Sequence, residues 1–259
     1  MNSPVELNST SAGAGPNVII LHGLFGDLNN LRSLADRLAE HFHVYSFDMR
    51  NHGASPHSSG MSYPDMAADV AHTCAKLGIR KTHLVGHSMG GKTAMQLALT
   101  VPDLIDRMII IDIGPRRYEH HHQDIIKGLL LLKNSILETR RSADELLEKF
   151  EPNKAIRAFL LKNLQRTESG TYGLRINISE IAARYDDIAA NITADARFDN
   201  PALFIKGAES DYLTEEDRAP IAALFSQPSL KTIDGAGHWP HSEKPDIVYK
   251  IVSDFLAAG

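Results

Sequence analysis

Cysteine is almost missing: Cys74 is the only one in 259 residues. A single thiol forms no intrachain disulfide, and a cysteine-ligated zinc site is excluded. Positive charge is short as well. Lys and Arg number 27 against 32 Asp and Glu, a formal charge of -5, so there is no basic footprint for nucleic acid. No apolar run approaches the roughly 20 residues that a membrane-spanning helix needs. Residues 1–15 lack the basic start and apolar stretch of a secretory signal. The expected address is therefore cytoplasmic, and the expected partner is a small molecule, with the oligomeric state left open. Hydrophobic and charged shares of 43% and 23% are ordinary for a soluble domain. The length suits one domain carrying an insertion.

Short apolar, β-branched runs alternate with segments of helical spacing. Residues 18–21, 44–47, 83–85, 107–112, 202–206 and 230–233 read as strands. Residues 31–38, 63–77 and 91–100 read as helices, and 246–257 as a closing amphipathic helix. The alternation predicts an α/β fold, a mostly parallel sheet flanked by helices on both faces. An edge strand is expected around Val5, followed by a flexible turn over residues 8–15. Between Gly114 and Asn200 the alternation lapses. Residues 125–132, 143–150, 154–164 and 178–188 keep a helical period there, and 170–176 read as a loop or small hairpin. The predicted organisation is a core of residues 1–114 and 201–259, with a helical cap of residues 115–200 inserted between sheet strands. At the carboxyl ends of those strands it would cover the crevice where open α/β sheets bind ligands.

Gly86-His87-Ser88-Met89-Gly90 falls between a predicted strand and a predicted helix. A serine on so tight a turn holds a strained backbone and projects its hydroxyl from the sheet, while the helix start aims free N–H groups at it. Ser88 is the predicted nucleophile. It needs a base, and His238 lies in a glycine-rich loop between the last strand and the last helix, with His241 its nearest competitor. The acid is open: Asp112 ends the strand after the nucleophile strand, and Asp211 follows the next one. Either could hold the imidazole tautomer. His22-Gly23-Leu24-Phe25-Gly26 ends the first parallel strand. The Leu24 and Met89 amides are the predicted oxyanion donors, each worth about 3–4 kcal/mol in comparable sites. Phe25 and Trp239, beside Leu24 and Met89, are candidate pocket walls. The polar block Asp48, Arg50, Asn51, His52 and Ser55 reads as bracing for neighbouring loops.

Lys92 reads as facing solvent or buttressing the cap. Arg116 and Arg117 are candidates to attract an anionic group. His120, His121 and His122 cannot share one helical face, so they read as a solvated helix start and no metal is expected. The apolar run 129–132 reads as packing surface. No cofactor is required by this chemistry.

His22-Gly23-Leu24-Phe25-Gly26, Asp48-Met49-Arg50-Asn51-His52-Gly53-Ala54-Ser55-Pro56, Gly86-His87-Ser88-Met89-Gly90-Gly91-Lys92, Ile111-Asp112-Ile113 and Gly235-Ala236-Gly237-His238-Trp239 together resemble the YbfF-type esterases. These are capped α/β hydrolases related to a mitochondrial abhydrolase. The resemblance spans residues 17 to 257 and is weakest in the cap. It implies cofactor-free hydrolysis of acyl esters, extending to acyl-CoA thioesters, through an acyl-enzyme. It also implies that the acid follows the earlier strand, which favours Asp112. The family's later strand leads into Gly-Gly-Asn-Ser without an acid, whereas this chain reads Gly207-Ala208-Glu209-Ser210-Asp211. A C–C bond hydrolase or lyase on the same fold, and a low-turnover binding protein, are the competing readings.

Overall fold

The apolar runs become neighbouring strands. The computed structural model describes residues 3–258; Met1, Asn2 and Gly259, counted in the predicted core, lie outside the described residues. The chain begins β1 (Ser9–Ala12), β2 (Asn17–Leu21), α1 (Arg32–Leu38), β3 (His43–Phe47), α2 (Tyr63–Lys76), β4 (Thr82–His87), α3 (Met89–Thr100) and β5 (Ile105–Ile111). It then runs through α4 (Gln123–Lys133), α5 (Arg140–Leu147), α6 (Lys154–Leu160), β6 (Leu164–Arg166), β7 (Tyr172–Leu174), α7 (Ile178–Ala183) and α8 (Tyr185–Ala189). It closes with β8 (Ala202–Gly207), α9 (Arg218–Leu224), β9 (Pro228–Ile233), α10 (Pro240–Glu243) and α11 (Pro245–Ala257).

Seven strands form one sheet in the order β1-β3-β2-β4-β5-β8-β9. Every pairing in it is parallel except β1 with β3. From β2 the chain crosses to β3 on one side and then returns to β4 on the other. The resulting switch point, at the carboxyl ends of β2 and β4, is where such sheets open a crevice. The motifs that begin at His22 and Gly86 both meet it.

Strand alternation builds the core. Ile19 and Leu21 of β2 join Phe47, Leu84 and Ile110 in a cluster on one face. Val18 and Ile20 join Val85, Ile109 and Ile205 on the other, against Leu34 and Leu38 of α1 and Val248 and Val252 of α11. The first cluster continues without a break into Leu129, Leu132, Leu147, Leu160 and Ile181 of the segment between β5 and β8. That segment is packed as part of the same core, and the run 129–132 supplies packing surface there.

The N-terminal expectation is corrected. The strand lies at Ser9–Ala12, inside the stretch read as a turn, while Val5 donates its amide to Asp69 Oδ1 at 2.7 Å. Ser9–Ala12 is a mostly exposed edge strand held by backbone pairing with β3, so no apolar alternation marks it. The predicted helix over 178–188 is two helices, parted at Arg184. The one over 154–164 ends at Leu160, and its tail enters the β6–β7 hairpin.

The block after β3 ties the sheet's edge together. Arg50 Nε and Nη2 bind Asp69 at 2.5 and 2.7 Å, both side chains fully buried. The remaining guanidinium donors reach the carbonyls of Ser59, Gly60 and Asp65. Removing one member of a buried ion pair leaves the other charged and unpaired, at a cost of about 3–5 kcal/mol. Arg50→Leu is expected to lower unfolding stability by that amount in urea titration, and Arg50→Leu with Asp69→Leu by much less. Equal losses in the two variants would contradict this account.

Candidate active site

Ser88 stands where β4 gives way to α3, with φ 51° and ψ -118°. A left-handed backbone on a residue other than glycine costs about 1–3 kcal/mol and persists only when its surroundings enforce it. Here the Ser88 amide donates to Ile111 O at 3.1 Å. The flanking glycines allow the crowding: a Cβ on Gly86 would lie 2.3 Å from Gly90 O, and one on Gly90 would lie 2.4 Å from Leu21 O. The half-buried Ser88 hydroxyl has no hydrogen-bond partner among the described residues.

His238 is fixed from three directions. Its Nδ1 meets Asp112 Oδ2 at 2.9 Å. Its carbonyl accepts from His87 Nε2 at 2.8 Å, which gives the variable residue of the Gly-x-Ser-x-Gly motif a positional role. Its ring stacks on Tyr212 at 3.8 Å and 22°. Asp112 also holds left-handed backbone, φ 54°, and is wholly buried. Its carboxylate accepts from the Gly207 amide at 2.9 Å and from the Ser210 hydroxyl. Asp211 is exposed, and among the described residues its side chain has no hydrogen-bond partner, while its backbone carbonyl accepts Arg116 Nη2 at 3.2 Å. The two carboxylates that the spacing left open are therefore far apart in environment, and His238 meets Asp112. His241 is buried against His87, 4.6 Å between ring centroids, and burial pushes its pKa down to about 4.

The loop after β2 is held by neutral imidazoles. His22 Nε2 accepts the Met49 amide at 2.9 Å while Nδ1 donates to Gly23 O at 2.8 Å. His52 Nε2 accepts the Phe25 amide at 3.2 Å while Nδ1 donates to Arg50 O at 2.9 Å. An acceptor Nε2 requires the proton on Nδ1. Burial keeps both rings in that form: it lowers His22 and takes His52 to about 3. Phe25 has φ 62°, and its carbonyl accepts Asn163 Nδ2 at 2.8 Å.

A cavity of about 40 Å³ is lined by Ser88, Leu24, Met89, Lys92 and a tyrosine wall made by Tyr63, Tyr118, Tyr185 and Tyr212. At roughly 10–15 Å³ per water-sized centre, it has room for about three waters. Leu24 and Met89, the predicted oxyanion donors, thus border the same space as Ser88. Phe25 and Trp239 do not line it. Phe25 is buried edge-on against His122, and half-buried Trp239 faces Phe159.

Lys92 is 1% exposed, its ammonium bound by the carbonyls of Arg116 (2.8 Å) and Ala190 and lying 5.0 Å from the ring centroids of Tyr63 and Tyr118. It belongs neither to solvent nor to a carboxylate pair. Instead it joins α3 to both ends of the segment between β5 and β8, where Tyr118 and Ile192 also pair with Ala189 and Pro115. His122 was expected at a solvated helix start but is half-buried. Tyr185 Oη lies 2.6 Å from its Nδ1, and Tyr212 Oη lies 3.4 Å from its Nε2. Arg116 pairs with buried Asp217, and Arg117 pairs with Asp186 on the surface. Nothing local in the sequence marks the tyrosines, Ser210 or Asn163, since their partners lie far along the chain. Among the described residues no group of acids, histidines or cysteines is arranged to hold a metal, and no helix is long and apolar enough to cross a membrane.

Residues 16–245 match the family described as the alpha/beta hydrolase fold. The chain belongs to that family. It is 37% identical to esterase YbfF of Escherichia coli, over 92% of each chain. It is 38% identical to the sn-1-specific diacylglycerol lipase ABHD11 of Xenopus tropicalis, over 93% of this chain and 78% of that one. A solved marine microorganism esterase superposes with a TM-score of 0.94 at 39% identity, covering 97% and 99% of the two chains. This hydrolase is thus an enzyme of the esterase type, and its resemblance to the YbfF-type esterases holds along nearly its whole length.

Burial of Lys92 has a measurable consequence for the hydrolase. It lowers the amine from 10.5 to about 7. Between those values the unfolded chain holds a proton that the folded chain does not, so this residue makes stability rise with pH by about 1.4 kcal/mol per pH unit. Below about pH 7 both states are protonated, and its contribution is flat. In urea unfolding at pH 7.5, 8.5 and 9.5, Lys92→Met is expected to lose this rise relative to the unmutated protein. Parallel stability curves for the two would refute the assignment.

Proposed function

We propose that this α/β hydrolase cleaves carboxylic esters of short acyl groups, and thioesters by the same route, with Ser88 as nucleophile, His238 as base and Asp112 as the acid. The observation that carries the reading is Ser88, on its left-handed turn, sharing one cavity with Leu24, Met89 and the Tyr212 ring on which the Asp112-bound His238 is stacked.

Ser88 Oγ attacks the acyl carbonyl carbon, and its proton passes to His238 Nε2. The contact between them tightens as substrate binds, as is common where the resting hydrogen bond is long or unmade. The carbonyl oxygen takes up the electron pair and lies against the Leu24 and Met89 amides, aided by the start of α3. Collapse of the tetrahedral intermediate expels the alkoxide or thiolate, which receives the proton from His238. A water, deprotonated by His238, then attacks the acyl-enzyme and releases the carboxylic acid, and Ser88 regains its proton. Asp112 holds the imidazole with its proton on Nδ1 and stabilises the imidazolium. Residues 115–200 act as the cap over this site, and the cavity of about 40 Å³ favours acetyl-sized acyl groups over long chains.

Hydrolysis of p-nitrophenyl acetate tests the reading. Ser88→Ala is expected to abolish turnover and labelling by a fluorophosphonate. Asp112→Asn should reduce kcat by about 10⁴-fold, with Asp211→Asn near the unmutated rate. Rates should fall from acetate to decanoate. Turnover that survives in Ser88→Ala would sink the mechanism, and a collapse in Asp211→Asn with Asp112→Asn intact would sink the choice of acid.

A further inference from the structure

The loop that carries Leu24 is gripped from two sides, and one grip comes from a distant part of the chain. On the core side His52 Nε2 accepts the Phe25 amide at 3.2 Å. On the other, Asn163, in the turn between α6 and β6 and only 2% exposed, donates Nδ2 to the Phe25 carbonyl at 2.8 Å across 138 positions of sequence. The same nitrogen donates to Leu160 O at 3.1 Å, so both of its protons are committed. The Asn163 carbonyl accepts the Arg175 amide at 2.9 Å, and Arg175 Nη2 reaches Asp27 Oδ2 at 2.7 Å. The turn of the β6–β7 hairpin is therefore not what meets the loop; the hairpin's base is, through Asn163 on one side and Arg175 on the other.

Phe25 needs such restraint. Its φ of 62° is unfavourable for a residue with a side chain, and relaxing it would swing the adjoining Leu24 peptide. A shift of about 1 Å in a catalytic group can cost about 10²-fold in rate. We infer that Asn163 is a positioning residue for the oxyanion site: its carboxamide locks the Phe25 carbonyl and so aims the Leu24 amide, making catalytic competence depend on the docking of the inserted segment. This rests on the reading of Leu24 and Met89 as oxyanion donors.

Asn163→Asp keeps the size and replaces the donating nitrogen with an oxygen that repels the Phe25 and Leu160 carbonyls. With p-nitrophenyl acetate, kcat is expected to fall about 10–100-fold while KM stays within about threefold. Affinity for a boronic acid that mimics the tetrahedral intermediate should fall in the same proportion, and affinity for acetate should not. Asn163→Ser, which retains one donor, is expected to lie between the two proteins in kcat and serves where Asn163→Asp does not fold. Arg166→Ala, on the exposed side of the hairpin, should leave kcat unchanged. A folded Asn163 variant with unaltered kcat, or a loss of kcat without a matching loss of boronate affinity, overturns the inference while Ser88-dependent turnover still supports the function. Absence of Ser88-dependent turnover in the unmutated protein overturns both.

Discussion

Left-handed backbone at the carboxyl edge of the sheet is the constraint on which the rest of the site depends. Phe25, Asn51, Ser88 and Asp112 are the non-glycine residues with positive φ among the described residues. They follow β2, β3, β4 and β5 in turn. Each costs about 1–3 kcal/mol unless its neighbours enforce it, and each has such neighbours. Asn51 is held by Ser58 and by Asn177, Phe25 by His52 and Asn163, Ser88 by Ile111, and Asp112 by Ile205, Gly207 and Ser210. The sheet's parallel order brings these turns side by side, so the strain is concentrated on one rim, where a nucleophile, its partners and its oxyanion loop have to converge.

Two restraints on these loops use imidazole as an acceptor rather than as a base. A neutral ring offers one lone pair and one donor, and His22 and His52 spend both on backbone groups. Protonation would turn each acceptor into a donor facing an N–H. Desolvation prevents this by disfavouring the charged form. Burial, which makes an unpaired polar group costly, here preserves the protonation state that the loop requires. His238 is less buried and faces Asp112, and its Nε2 has no hydrogen-bond partner among the described residues.

The parallel strands, the helices around them and the Ser88 turn were legible because each is written in a few consecutive residues with a fixed period or a tight glycine spacing. His238 was legible from its place in the chain. Ser9–Ala12 was not, because an exposed edge strand needs only backbone pairing. The spacing could not separate Asp112 from Asp211, since both end strands; burial, the left-handed turn and the Ser210 and Gly207 donors distinguish them, and none of these is local in sequence. His122 misled for the same reason, and the spacing left open whether Lys92 faces solvent or braces the inserted segment. A charged or polar residue near a helix start is usually solvated, and here the segment between β5 and β8 holds Lys92 through Arg116 O and Ala190 O and His122 through Tyr185.

The segment between β5 and β8 is tied to the rest of the fold at several points. Lys92 ties its two ends to α3, Tyr63 donates to Ile188 O within it, and Asn163 and Arg175 reach the loop after β2. The cavity these contacts leave beside Ser88 is about 40 Å³. Tyr118 and Tyr185 in the wall of that cavity belong to the segment itself. In the proposed function, the segment that bounds the acyl group is thus also the one that holds the Phe25 carbonyl through Asn163.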